Sequence, residues 1–169
     1  MIVIMDNTQI EHERAVGDRF ILEFNRLEKV DYEFAHRGDP APDLIYRDGD
    51  SRIGIEIVTC YYDSSDAKAK WQNARGLPTA PTRWSGVDFD QALIADINRH
   101  IQDKCRKDYG PDCFLVVYIT PALTTYEDME RLMPGVNIPE QHPFAGIWLI
   151  GSLGINASSM VTDALWKLA

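Results

Sequence analysis

The sequence predicts an α/β fold in which a mixed central β-sheet is flanked by α-helices. Two segments carry apolar residues at the 3.6-residue spacing of amphipathic helices, and several apolar runs of strand length lie around them. An Asp-Gly pair between two of these runs indicates a β-hairpin. The composition, 45% hydrophobic and 25% charged, is that of a folded chain. We therefore expect residues 1–169 to form a single domain.

The first predicted element is a helix from Gln9 to about Glu28, with Thr8 as its candidate N-cap. Its apolar side chains recur at helical spacing and form the stripe expected to pack against the sheet: Val16, Phe20, Phe24 and Leu27. At about 100° per residue, Glu13 falls within the same stripe. A carboxylate on a packed face needs a partner, because an unpaired buried charge is costly.

Three strands are predicted after this helix. The first spans Tyr32–Arg37 and ends at the proline-containing segment 38–42. The second starts at Asp43, and Asp48-Gly49 turns the chain into the third strand, Arg52–Cys60. Side chains alternate along a strand, so Glu56 and Val58 share the face opposite to the isoleucines of this strand, Ile53, Ile55 and Ile57.

Residues 61–86 lack clean periodicity, which is typical of a long loop, and they form the most basic segment of the chain. A second helix is predicted from Asp88 to Asp108, with Asp88 as its cap. Cys113–Thr120 and Phe144–Ile150 are apolar runs typical of buried strands. The tail from Asn156 onward is compatible with either a helix or an edge strand.

Charge and cysteine usage restrict the setting in which the protein works. The formal net charge of −9 argues against a large basic surface, so any nucleic acid must be bound by a local patch. The three scattered cysteines indicate neither a disulfide framework nor a structural zinc site. The N-terminus lacks the pattern of a signal peptide, and no apolar stretch reaches the length of a membrane span. We therefore expect a cytoplasmic protein with no membrane partner.

The order of these elements and two short motifs resemble the PD-(D/E)XK nucleases, the restriction endonuclease-like superfamily. Pro42-Asp43 corresponds to the first half of the motif, and Glu56-Ile57-Val58, thirteen positions further on, corresponds to the second. The resemblance implies a restriction endonuclease-like core and metal-dependent hydrolysis of phosphodiester bonds in DNA. It also implies that Asp43 and Glu56 hold Mg²⁺ or Mn²⁺, hard cations that prefer oxygen ligands.

Members of this superfamily also place a glutamate on the first helix near the metal. Glu13-Arg14 resembles the start of that helix in the Holliday-junction resolvases, so the resemblance implies Glu13 as a third metal ligand and catalytic carboxylate. The alternative is that Glu13 is a solvated carboxylate that stabilises the N-terminus of the helix.

The sequence departs from the motif at Val58, where the superfamily has a lysine that stabilises charge on the phosphate. A basic residue from elsewhere is a candidate replacement. Lys104 lies seven positions after Ile97, near the inner stripe of the second helix. Three basic residues of the long loop are predicted to bind substrate, the first two being further candidates for the missing lysine: Lys68, Lys70 and Arg75.

Two other functions remain open at this point. Val58 favours a catalytically inactive nuclease-fold module that binds nucleic acid or a protein partner. The acidic composition and the Trp71–Trp84 region are also compatible with a structural or assembly protein. Many nucleases of this fold dimerise, so a homodimer is a further expectation. No role is predicted for the histidines, which lack metal-ligand spacing: His12, His36, His100 and His142.

Overall fold

The strands form one six-stranded β-sheet, and the helices flank it. The computed structural model describes residues 7–61, 89–119, 126–154 and 161–169. Within these ranges the elements are α1 (Asn7–Glu28), β1 (Glu33–Arg37), β2 (Leu44–Asp48), β3 (Ser51–Cys60), α2 (Phe89–Cys105), β4 (Cys113–Ile119), α3 (Tyr126–Leu132), a 3₁₀ turn (Met133–Gly135), β5 (Gly146–Gly154) and β6 (Val161–Lys167). No helix in the described ranges is long and apolar enough to cross a membrane.

The sheet is mixed, and its strands are neighbours in chain order. β1, β2 and β3 form an antiparallel meander, β4 and β5 run parallel to β3, and β6 is antiparallel to β5. Gly49 makes the tight turn of the central hairpin with a φ of 56°. The predicted α/β architecture, a mixed sheet flanked by helices, is therefore confirmed.

The two long helices cover opposite faces of the sheet. α1 packs on one face, where its apolar stripe meets Leu44, Ile55 and Ile57. Gly17 allows this close approach, because a Cβ there would lie 2.3 Å from Leu44 Cδ1. α2 packs on the other face through three fully buried side chains, each worth about 1.5–3 kcal/mol when removed from water: Leu93, Ile97 and Ile101.

Several predicted boundaries differ from the structure. Asn7 already belongs to α1, so Thr8 lies inside the helix instead of capping it. Leu27 is 49% exposed, and the buried stripe of α1 ends at Phe24. α2 ends at Cys105, three residues before the predicted end, and the chain then passes through Gly110 with a φ of 84°.

The tail forms an edge strand, β6, which settles the alternative left open by the sequence. The short helix α3 had no counterpart among the predicted elements. Asp88 and the basic loop lie outside the described residues. The same holds for the residues predicted to bind substrate: Lys68, Lys70 and Arg75.

Candidate functional site

The hairpin of β2 and β3 brings Asp43 and Glu56 together. Leu44 pairs with Ile55 in the antiparallel register, so Asp43, one residue earlier, lies opposite Glu56. Asp43 Oδ2 accepts a hydrogen bond of 2.8 Å from the backbone N–H of Ile57. Glu56 is only 5% exposed, whereas Asp43 is partly exposed. The two motif carboxylates are thus neighbours on adjacent strands.

Pro42 fixes the entry of the chain into this pair. It is buried beside Gly54, and a Cβ at Gly54 would lie 2.5 Å from Pro42 Cγ. A side chain at position 54 would therefore displace the proline that precedes Asp43. Packing of Pro42 against Gly54 therefore explains the proline of the Pro-Asp motif, whatever the chemical role of Asp43.

A cation reaches the pair from α2. The Lys104 ammonium in the last turn of this helix donates to Glu56 Oε1 and forms an ion pair with it. Its side chain is 22% exposed, against 6% for that of Glu56. Lys104 is therefore close to the motif carboxylates. Val58, the residue at the motif lysine position, is 5% exposed and packs in the apolar cluster under α2.

The electrostatics of the pair are those of two carboxylates in a poorly solvated place. Burial raises the pKa of Asp43 to about 7, and the negative charges of Glu56 and Glu13 act in the same direction. The Ile57 N–H bond and the Lys104 ammonium lower this pKa but do not offset the other effects. In the absence of a further cation, Asp43 therefore holds its proton up to about neutral pH.

Glu13 is buried, as its place in the stripe predicted, but it is engaged elsewhere. Its exposure is 6%, its Oε1 accepts from Gln9 at 2.9 Å, and its Oε2 accepts from Arg37 at 2.8 Å. The solvated alternative is therefore excluded. Glu13 interacts with Asp43 through space, yet Glu13, Asp43 and Glu56 do not form a group of ligand atoms within 4.8 Å of one another.

Glu56 and Tyr109 each carry a buried polar atom without a well-formed hydrogen bond. Neither Glu56 Oε2 nor the Tyr109 hydroxyl has a hydrogen bond of good geometry. The two groups are nevertheless close, since burial first, and then the Glu56 carboxylate both as a charge and as a hydrogen-bond acceptor, raise the pKa of the Tyr109 phenol. Burial and the same carboxylate raise the pKa of Cys113 to about 12. Sequence patterns gave no signal for Tyr109 or Cys113, because both reach the site through tertiary packing.

A cleft of about 260 Å³ opens beside this corner on the α2 face of the hairpin. Pro42, Gly54 and Tyr109 line it together with Arg52. Arg52 pairs with Arg47 across the hairpin, and both are exposed. Each arginine lies four residues from a motif carboxylate on the same strand, so carboxylates and arginines share one face. Like charges directly opposite each other destabilise a sheet unless an anion offsets them.

Comparisons with known proteins add no family assignment to this geometry. No protein-family model matches the chain, and searches of curated proteins and of solved structures find no significant match.

Proposed function

We propose that this chain is a Mg²⁺- or Mn²⁺-dependent phosphodiesterase that cleaves DNA and carries a restriction endonuclease-like core. Asp43 and Glu56 would hold the metal, and Lys104 would replace the motif lysine. The observation that carries the proposal is the ion pair between Lys104 and Glu56, which brings an ammonium to the motif carboxylates although position 58 is a valine.

The residues fit a hard divalent cation. The pair offers carboxylate oxygens only, the ligands that Mg²⁺ prefers. Glu56 Oε2 is buried without a hydrogen bond of good geometry, and burial together with the Glu56 charge raises the pKa of Asp43 to about 7 in spite of the Lys104 ammonium. When bound, the metal would offset charge on the phosphate and activate a water. Lys104, with a partly exposed side chain, would hold positive charge next to that phosphate.

Arg47 and Arg52 support a nucleic-acid substrate. They form a local cationic patch on a chain whose net charge is −9. Each arginine lies four positions along the extended chain from a motif carboxylate, about 13 Å. The two arginines would contact phosphates beyond the scissile one, and such contacts position a strand without reading its sequence.

The test is cleavage of single-stranded and branched DNA by the full-length protein with Mn²⁺. Lys104→Met should lower the rate by roughly 10²–10³, the effect of removing one electrostatic stabiliser. Lys107→Met is the matched control, because Lys107 is an exposed lysine three residues away, and it should retain the wild-type rate. Thermal melting of each variant shows whether folding is intact.

A catalytically inactive binding module is the second candidate, and the packing of Val58 in the core favours it. The two functions differ in the response to metal. If Asp43 and Glu56 bind Mn²⁺, the metal raises the melting temperature, and the double change Asp43→Ala with Glu56→Ala abolishes that rise. No cleavage and no metal-dependent rise for the wild type would exclude the enzyme and leave the binding module.

A further inference from the structure

A second group of potential ligands lies further along β3. Cys60 ends this strand, and Asp96 and His100 lie one turn apart on α2. One ligand atom from each of the three lies within 4.8 Å of the others. Cys60 is four residues from Glu56, about 13 Å along the strand, so this group is separate from the carboxylate pair.

We propose that Cys60, Asp96 and His100 form a binding site for a divalent transition metal of the Zn²⁺ class. A thiolate, a carboxylate and an imidazole are ligands that Zn²⁺ takes, and three protein ligands leave a fourth position for water. Tetrahedral bonds of the usual lengths place ligand atoms about 3.3–3.6 Å apart. Asp96 Oδ2 and His100 Nε2 already lie 3.6 Å apart. A ligand atom of Cys60 lies within 4.8 Å of both, so side-chain rotations that move it by about 1 Å would complete the set.

A cationic side chain, that of Arg99, already lies beside Asp96 and His100. Its guanidinium donates to Asp96 Oδ1 and lies 3.0 Å from His100 Nε2. Because arginine has no acceptor, His100 Nε2 must present its lone pair. This lone pair is the one that a metal would bind. The Arg99 side chain is 58% exposed, so it can turn into solvent when a metal replaces it.

The surroundings of Asp96 and Cys60 also bear on metal binding. The backbone N–H of Tyr61 donates to Asp96 Oδ2 at 2.8 Å, the kind of outer contact that fixes a ligating carboxylate. Cys60 is fully buried and is a free thiol. Metal binding would therefore break its S–H bond, form a metal–sulfur bond and release one proton to solvent. The metal would link the end of β3 to α2.

Co²⁺ is the probe, because a cobalt–thiolate bond gives a charge-transfer absorption band. We expect one equivalent of Co²⁺ to produce this band in the EDTA-treated full-length protein, and Zn²⁺ to displace it. Cys60→Ser should abolish the band. Cys105→Ser is the control, since Cys105 is a partly buried cysteine on α2, the helix that carries Asp96 and His100. Asp43→Ala with Glu56→Ala should retain the band, which separates this site from the proposed nuclease site.

Two further variants test the site without changing the buried cysteine. His100→Ala should weaken Co²⁺ binding by at least about tenfold, as loss of a ligand must exceed loss of an outer contact. Arg99→Ala should tighten binding by about two- to fivefold, the range of one exposed ion pair. The proposal is overturned if the wild type gives no band, if Cys60→Ser retains it, or if both other variants bind Co²⁺ with wild-type affinity.

Discussion

Glu13 and Glu56 are the two buried charged side chains of the described residues, with exposures of 6% and 5%. Both oxygens of Glu13 accept hydrogen bonds, one from Gln9 and one from Arg37. Glu56 has Lys104 on Oε1 and no hydrogen bond of good geometry on Oε2. The two carboxylates are thus equally buried, but only Glu13 has well-formed hydrogen bonds on both oxygens.

The difference teaches which carboxylate is available for chemistry. Glu13 is neutralised and hydrogen-bonded, so its charge is already used to hold α1 against β1. Glu56 shares its corner with Asp43, whose pKa it raises, and one lysine serves both. Glu56, half-paired beside a second carboxylate, has room for another cation, whereas Glu13 would first have to release the partly buried Arg37.

The largest expected effect is on DNA cleavage. Glu56→Gln should lower the Mn²⁺-dependent rate by roughly 10²–10³, because it removes a charged ligand and the partner of Lys104. Glu13→Gln keeps a side chain of the same shape away from the metal, and it should lower the rate by less than about tenfold. Single-turnover rates of both variants at saturating Mn²⁺ measure the difference. Equal losses would place Glu13 in the metal site after all.

The loss of folding stability should be larger for a change at Glu13 than for a change at Glu56. Glu13→Ala removes the ion pair with the partly buried Arg37 and should cost about 3 kcal/mol, the lower range for breaking a buried ion pair. Glu56→Ala in metal-free protein should cost less, about 1–2 kcal/mol, because loss of the buried Lys104 ion pair is partly offset by relief of repulsion with the ionised Asp43. Urea unfolding at pH 8 with EDTA measures both. A larger loss for Glu56→Ala would reverse the comparison.

Part of this picture could be predicted from periodicity alone. The helical spacing placed Glu13 on the buried stripe, and the strand period placed Glu56 opposite the isoleucine face. Lys104 was a candidate because it lies two turns after Ile97 on the inner stripe of α2. These are local regularities, so one sequence is enough to show them.

The partners of these residues could not be predicted in the same way. Arg37 reaches Glu13 from β1, and Tyr109 reaches Glu56 from a loop, in both cases through tertiary packing that leaves no spacing signal. The histidines showed no ligand spacing among themselves, so the sequence did not single out His100 or its neighbour at i−4, Asp96. The third member of that group, Cys60, lies on a different element, so ligand spacing alone did not indicate a site.

The pH dependence of stability should follow Asp43. Its folded pKa of about 7 exceeds the usual value, so the native state binds more protons than the unfolded state between about pH 4 and pH 7. Stability from this group is therefore complete below about pH 4 and is lost as the pH rises through about 7. The loss should be about 2 kcal/mol after allowance for partial exposure.

The control is Asp43→Asn, which cannot titrate and should flatten this part of the curve. Mn²⁺ should restore stability above pH 7 in the wild type, because it binds the ionised carboxylate. Glu13→Gln should retain most of the slope, since Glu13 is a lesser cause of the Asp43 shift. A wild-type curve that matches that of Asp43→Asn would show that the pair is solvated and that Glu56 is no more available than Glu13.

The smallest expected effect on the cleavage rate concerns position 58, where a lysine can be restored. Val58 is two residues from Glu56 on the same face, so a lysine there can extend toward the Glu56 carboxylate. Val58→Lys in the Lys104→Met background should regain about tenfold of the lost cleavage rate, because the charge returns from a different direction. It should also cost about 3 kcal/mol or more, since it places an ammonium in the buried apolar cluster that holds Leu93 and Ile97. Val58→Leu in the same background controls for packing and should regain no activity. A folded double variant without any gain would show that the site needs its cation from α2, and that the geometry of Lys104 matters beyond its charge.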